Sequence, residues 1–330
     1  MTRNPRLLTG LKRMSNTSPK IRAARYSIAT ATGLAGLKLV TGLATGSLAV
    51  LSSAVDSLLD ILMSGVNYFG IRQAEQPADT SHPFGHGKYE TVATLIQSLL
   101  IACSGGWLIY ESIRRLLRGS ELVRLGEGML VLLLSAGVSL VVTRYLRRVA
   151  HETDSSALRA DSLHFAMDVY TNLALVVGLG AITFLDLPWL DPILSLLVAL
   201  YILYQAVQLI RHSMRDVLDE QLPETIRQEV EQLIRAHHEH LLDFHNLRTR
   251  RAGSQKIMDF HLTVCKHLSV EEAHSIADHL EKRIQQEIPG ADVTIHIEPC
   301  RRDDCPGVAQ CPVDKTRLEE TDSNTTQKSA

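Results

Sequence analysis

Long apolar stretches dominate the first two thirds of the chain. Each is about as long as a helix that crosses the ~30 Å hydrocarbon core of a bilayer. They cover residues 26–48, 50–73, 92–113, 127–147, 162–185 and 189–210. The second and fifth stretches are the least apolar, because ionisable residues interrupt them. The pattern predicts an α-helical membrane protein with six transmembrane helices, and it excludes a wholly soluble protein.

The hydrophobic pattern changes after His212 and indicates a small α+β domain. Apolar residues recur at helical spacing over 226–234 and 270–288, and they alternate as in a strand over 258–264 and 293–297. With a further strand near 244–251, the predicted order is αββαβ. A domain of about 80 residues has a small core, so dimer contacts or a bound metal would help to stabilise it.

These changes predict four regions. They are a basic N-terminus at 1–25, a transmembrane domain at 26–212, a second domain at 213–299 and a polar, disordered tail at 300–330.

Charge and composition restrict the partners and the orientation. The net charge of −2, the 5% aromatic content and the lack of basic runs argue against a nucleic-acid binder. Residues 1–25 carry seven Lys or Arg and no acid, and four more Arg lie around the connection between the fourth and fifth stretches. Arginines after the third stretch run against this bias. Since Lys and Arg are concentrated on the cytoplasmic side of membrane proteins, both ends are predicted to be cytoplasmic.

Four ionisable residues lie inside the predicted spans. Asp56 and Asp60 are four residues apart in the second span, and His164 and Asp168 repeat that spacing in the fifth. A carboxylate in hydrocarbon costs at least ~2.5 kcal/mol on insertion scales, so the group needs a common compensation. Three carboxylates and one imidazole are enough for a tetrahedral divalent-metal site. The alternative is that they line water or cap helices.

A second group of potential ligands follows the second span. Asp79, His82 and His86 lie in the segment ADTSHPFGHGKYE, whose proline and glycines allow sharp turns that could bring the three together. A polar loop with incidental histidines is the alternative.

The second domain holds nine of the fourteen histidines. Strand alternation places His261 on the face opposite the apolar residues, and it places His296 and Glu298 together on the corresponding face of the last strand. His245 and His274 could reach the same region. The set is either a metal site or a solvated polar face.

Other chemistry has little support. The H-E-x-x-H, G-x-S-x-G and P-loop motifs do not occur, so the chain is predicted not to be an enzyme or an ATP-driven pump. Cys300, Cys305 and Cys311 could bind soft metals, but spare cysteines in a disordered tail are the favoured reading. Cys103 and Cys265 are interpreted as packing residues.

Taken in order, these motifs resemble the cation diffusion facilitator family, and most of all its bacterial zinc and ferrous-iron efflux branch. The resemblance covers about residues 20–300 and rests on SSAVDSLLD, HPFGHGKYE, ADSLHFAMD, HNLRTRRAG and IHIEPC. It implies a homodimer with six spans per protomer and a cytoplasmic, metallochaperone-like αββαβ domain that binds metal and dimerises.

The resemblance also implies roles for individual residues. The transport site would be Asp56, Asp60, His164 and Asp168, and the loop site would be Asp79, His82 and His86. The cytoplasmic site would be His245, His261, His296 and Glu298, with His274 beside them, and Lys88 and Asp219 would form a salt bridge near the membrane surface of the dimer. Two features depart from the pattern: relatives usually have aspartate where Glu298 stands, and the cysteine-bearing tail has no counterpart.

The predicted function is efflux of a divalent metal by proton antiport and alternating access, across a bacterial inner membrane. Neutral His164 would bind metal, and protons would compete for it near the ordinary imidazole pKa of ~6.5. Zinc is the leading substrate, with cadmium as its mimic and ferrous iron or manganese as alternatives; no cofactor is predicted. A membrane-anchored metal sensor or assembly partner and a passive channel are the competing functions.

Overall fold

The computed structural model describes residues 18–45, 48–118, 128–185, 189–236 and 241–301. The chain divides into two compact units, Met1–Leu218 and Asp219–Ala330. The predicted tail beyond residue 301, most of the basic N-terminus and the 237–240 segment with its histidines lie outside the described residues.

The first unit is helical, as predicted. Its described helices are α1 (Pro19–Thr45), α2 (Leu48–Ala74), α3 (Lys88–Arg118), α4 (Gly128–Thr153), α5 (Ser156–Leu185) and α6 (Leu190–Val217). They contain 26 to 31 residues, which at 1.5 Å per residue makes each about 39–46 Å long.

Three of these helices are also apolar enough to cross a membrane by composition. They are α1 over Pro19–Ala44, α3 over Lys88–Arg118 and α6 over Pro192–Val217. A membrane-spanning helical unit is therefore established, while the six-span count stays a prediction.

Helix α5 lies at the centre of the first unit, where it contacts each of α1, α2, α3, α4 and α6. Several of its buried residues are small: Ala157, Ala160, Ser162 and Ala166 are each at most 3% exposed. Small side chains let helix backbones approach closely in a membrane. This packing carries the ionisable residues of α5 into the middle of the bundle.

A buried ion pair joins three of the helices. Lys20 Nζ of α1 lies 3.1 Å from Glu90 Oε2 of α3 and 3.4 Å from Glu75 Oε1, just after α2. The hydroxyl of Ser155, immediately before α5, donates a hydrogen bond to the other Glu90 oxygen. Since a charge removed from water needs partners to be tolerated, this contact constrains how α1, α3 and α5 can pack.

The second unit has the predicted αββαβ order. Its elements are α7 (Glu224–Arg235), β1 (Leu241–Ala252), β2 (Gln255–Val264), α8 (Val270–Glu287) and β3 (Ala291–Pro299). The sheet order is β1-β2-β3, with β1 antiparallel and β3 parallel to β2. Helix α8 supplies the crossover that a parallel strand pair needs, and a capping box between Ser269 and Glu272 begins it.

The apolar core of this unit covers one face of the sheet. It is formed by alternate residues of β2 with the apolar sides of α7 and α8, including Val230, Ile234, Met258, Phe260, Leu262, Val264, Leu280 and Ile284. The intervening residues of β2 are only half-buried. Strand alternation therefore leaves the opposite face for polar side chains, His261 among them.

Candidate metal centres

Three ionisable side chains meet where α2 contacts α5. Asp60 Oδ1 lies 3.1 Å from His164 Nε2, and Asp60, His164 and Asp168 each present a ligand atom within 4.8 Å of the others. His164 is buried, and both aspartates are half-buried. No described residue makes a well-oriented hydrogen bond to either His164 ring nitrogen. Two carboxylates and a free imidazole nitrogen are a ligand set that suits a divalent metal ion.

Asp56, the fourth residue predicted for this group, lies one turn before Asp60 on α2. Its side chain is outside the described part of the structure, so its participation stays a prediction.

The segment between α2 and α3 brings the second predicted group together. Asp79 Oδ1 lies 3.3 Å from His82 Nδ1, and Asp79 Oδ2 lies 3.3 Å from His86 Nε2. Gly85, at φ 78°, provides a left-handed backbone position between the two histidines. The His86 Nδ1 atom is 3.1 Å from the Pro77 carbonyl oxygen. If Nδ1 donates to that carbonyl, the lone pair on Nε2 is free for a metal.

The backbone also prepares Asp79 as an anionic ligand. The backbone N–H groups of His82 and Ser81 donate hydrogen bonds of 2.6 and 2.8 Å to Asp79 Oδ1. These bonds, that of His82 foremost, hold the pKa of Asp79 below its ordinary value. The carboxylate is therefore charged throughout the neutral range.

The third group lies on the open face of the sheet in the second unit. His245 pairs with His261 across β1 and β2, and His261 pairs with His296 across β2 and β3. Glu298 Oε1 lies 2.8 Å from His261 Nδ1, and Glu298 Oε2 lies 3.5 Å from His245 Nε2. The more exposed His296 Nε2 is 3.9 Å from Glu298 Oε1. Glutamate is thus long enough to contact its predicted neighbours.

Local structure and charge both favour this arrangement. The register of β1 shifts between His245 and Arg248, and Asn246 has φ 55°. Such a bulge redirects the side chains beside it. The hydrogen bond with His261 is the main reason that the pKa of Glu298 is lowered. Glu298 is consequently an anion that several imidazoles surround.

Family comparisons agree with the division of the chain into a helical unit and a second, smaller unit. The family described as the cation efflux transmembrane domain matches residues 24–218, and the cation efflux protein cytoplasmic domain matches residues 222–300. The chain belongs to the cation efflux family. The resemblance to cation diffusion facilitators is thereby confirmed, and the family is one of transporters.

Relatives of known name cover most of the cation efflux protein. The cation-efflux pump FieF of Salmonella typhimurium (strain LT2) is 35% identical over 284 residues, which are 84% of this chain and 92% of FieF. The same pump of Klebsiella pneumoniae is 36% identical over 283 residues, with the same two coverages.

Solved structures match a smaller part of the chain. A Zn form of CzrB, described as a candidate zinc transporter, is 42% identical with a TM-score of 0.23, covering 26% of this chain and 98% of that one. The metal-bound C-terminal domain of the CzcD transporter from Thermotoga maritima is 25% identical with a TM-score of 0.22, covering 25% of this chain and all of that one.

Three residues predicted for this cation efflux protein are not brought to a site within the described protomer. His274 is exposed on α8, which packs on the apolar face of the sheet, so the sheet itself lies between His274 and His261. Lys88 is the first residue of α3. Asp219 Oδ1 lies 3.5 Å from Arg250 Nη1 in its own unit. The salt bridge between Lys88 and Asp219 of a dimer stays a prediction.

The structure buries acids that the sequence analysis did not single out, and one of them, Asp161, lies one helical turn from His164. Asp161 is fully buried on α5, where Gln97 donates a 3.3 Å hydrogen bond to it. A sequence signal was present, because Asp161 precedes His164 by three residues and therefore shares its helix face.

Proposed function

We propose that this protein exports divalent metal ions across a membrane in exchange for protons. The observation that carries the proposal is the Asp60, His164 and Asp168 group between two helices of the transmembrane unit. Ionisable side chains are expensive in a membrane and mark ion pathways when they face the interior of a bundle. The family and the efflux pumps that resemble this chain support the direction of transport.

Proton coupling follows from competition for the same atoms. An imidazole binds metal only when it is neutral, and its ordinary pKa of ~6.5 lies where protons and metal compete. Metal entering from one side displaces protons from His164 and its neighbouring carboxylates. Protons entering from the other side then displace the metal, provided that the helices open the site alternately to the two sides.

Zinc is the proposed main substrate. A mixed imidazole and carboxylate set binds zinc well, and the affinity order of divalent first-row metals places zinc above manganese and iron. The description of CzrB as a candidate zinc transporter agrees with this choice. Cadmium would follow as a larger mimic, and ferrous iron is the next candidate substrate.

The other two groups are proposed to bind metal without carrying it. Metal held by His245, His261, His296 and Glu298 would stabilise a homodimer, because a ligand that binds the assembled form favours that form. The Asp79, His82 and His86 group would order the connection between α2 and α3. The excess of Lys and Arg near the N-terminus supports an inner-membrane protein with both ends in the cytoplasm.

The test is zinc uptake by the full chain in liposomes, with and without a pH gradient. Wild-type protein should show gradient-dependent uptake, and Asp60→Ala should lose it because the group then lacks the ligand nearest His164. Asp278→Ala is the matched control, since it removes an exposed aspartate of α8 that contacts Lys282. Its uptake should equal that of the wild type.

Two results would contradict the proposal. Uptake that ignores the pH gradient would indicate a passive channel. No uptake by wild-type protein that still binds zinc would indicate a membrane-anchored sensor or assembly partner.

A further inference from the structure

A second polar centre lies one helical turn from His164, in the direction of the N-terminus of α5. Asp161 is its only described carboxylate and has no exposed surface. Side chains from three other helices interact with it: Ser27 of α1, Asn67 of α2 and Gln97 of α3. The centre is therefore assembled by the same central helix that presents His164 and Asp168.

The hydrogen bonds at this centre use the amide N–H donors of Gln97 and Asn67, while oxygen acceptors of the same side chains stay without a well-oriented donor. Gln97 Nε2 donates to Asp161 Oδ1 over 3.3 Å, and Asn67 Nδ2 donates to the Ala157 carbonyl oxygen over 2.8 Å. Among the residues that the structure describes, none makes a well-oriented hydrogen bond to Asp161 Oδ2, Gln97 Oε1 or Asn67 Oδ1. All three side chains are fully buried. Buried polar atoms need partners, and three buried oxygen acceptors call for a positively polarised one.

The centre is continuous with the proposed transport site. On α2, Asp60, Ser64 and Asn67 follow one another at spacings of four and three residues, which places them on one helix face. Ser64 accepts a 3.0 Å hydrogen bond from Ser27. On α5 the matching stripe is Asp161, His164 and Asp168. A polar track thus runs from the transport site towards the start of α5, where Asn67 contacts Ala157.

We propose that Asp161, with the side-chain oxygens of Asn67 and Gln97, forms a second cation subsite for a partly hydrated divalent metal ion. An oxygen-only set without imidazole or thiolate suits a hard or still hydrated cation. The subsite would hold the transported ion beside the imidazole-containing site. This inference rests on the proposed function, because it assigns the subsite to the same cargo.

The experiment is equilibrium Mn²⁺ binding to the full chain in detergent, with free and bound Mn²⁺ measured by electron paramagnetic resonance. Mn²⁺ is the probe because it favours oxygen ligands. Asp161→Asn should bind one Mn²⁺ fewer per protomer than the wild type. Asp154→Asn, which alters a partly exposed aspartate paired with Arg159 just before α5, should keep the wild-type count.

Gln97→Leu provides a second variant if Asp161→Asn does not fold. It removes one oxygen while nearly keeping the side-chain volume, and it should weaken binding of the same Mn²⁺ by roughly tenfold or more. The proposal is overturned if the folded variant, Asp161→Asn or else Gln97→Leu, binds Mn²⁺ with the same number of sites and the same affinity as the wild type. Water would then be the partner of the three oxygens. Since the readout is binding, loss of zinc uptake in Asp60→Ala tests the transport proposal separately.

Discussion

The buried contact between Lys20 and Glu90 offers a sharp test of how the helical unit is held together. Their side chains are 8% and 1% exposed, and their charged atoms lie 3.1 Å apart. Lys20→Met keeps the apolar stem but removes the ammonium group beside the buried Glu90 carboxylate, whose other oxygen accepts a hydrogen bond from the Ser155 hydroxyl. Breaking a buried pair in this way costs about 3–5 kcal/mol, or roughly a factor of 10²–10⁴ in the unfolding equilibrium.

A compensating change separates the charge effect from lost packing. Lys20→Met combined with Glu90→Gln removes both charges and keeps an acceptor for Ser155, so it should recover at least ~2 kcal/mol of the loss. Arg148→Met is the control, because Arg148 and Glu152 form a 2.8 Å pair with side chains that are 79% and 54% exposed. That exposed pair is screened by solvent, so its loss should change the stability much less than Lys20→Met does.

The assay is denaturant unfolding of the full chain in detergent, followed by tryptophan fluorescence. Both tryptophans, Trp107 and Trp189, lie in the first unit, so the signal reports on that unit. The reasoning is refuted if Lys20→Met lowers the free energy of unfolding by no more than Arg148→Met does. It is also refuted if the double variant is no more stable than Lys20→Met alone.

Three further predictions concern packing, titration and capping. Gly70→Ala should destabilise the first unit by about 1–3 kcal/mol, because its new Cβ would overlap α3. Gly106→Ala, whose Cβ would meet no atom within 4 Å, should not destabilise it, and the same unfolding assay compares the two variants. In carbon-13 NMR, the Glu298 carboxyl should titrate with a pKa below its ordinary value, and His261→Ala should bring that pKa back towards the ordinary value. The stability that ionised Glu298 contributes is present above the ordinary pKa and is lost as the pH falls through the lowered pKa. Ser269→Ala should lower the stability of the second unit by about 1 kcal/mol in denaturant unfolding followed by circular dichroism, and Ser269→Asp, which keeps a capping oxygen, should not.

Much of the architecture follows from the hydrophobic pattern alone. The long helices were predictable because each apolar stretch is long enough to cross a bilayer, and the αββαβ order was predictable because apolar side chains repeat with the helix or strand period. The two residues of each pair Asp56–Asp60 and His164–Asp168 could likewise be assigned to one helix face from their spacing. Spacing within a helix is a local property, so it needs no knowledge of which helices become neighbours.

The contacts between elements depended on the tertiary structure. The bulge after His245 and the reach of Glu298 to two histidines arise from strand register, which the sequence pattern leaves open. His274 was predicted to lie beside this site, but it is exposed on α8, which packs on the opposite face of the sheet. A helix or strand pattern states which face is polar but not which residues of another element will meet it.

The chain's own sequence thus determined the elements, the membrane character of the first unit and the type of ligands available for metal. Only the tertiary structure decided that Asp161 is fully buried with Asn67 and Gln97, and that Lys20 meets Glu90. The physical reason is that burial and unmet hydrogen-bonding capacity are properties of packed neighbours from distant parts of the chain. They come into existence when α1, α2 and α3 pack around α5, and no single segment encodes them.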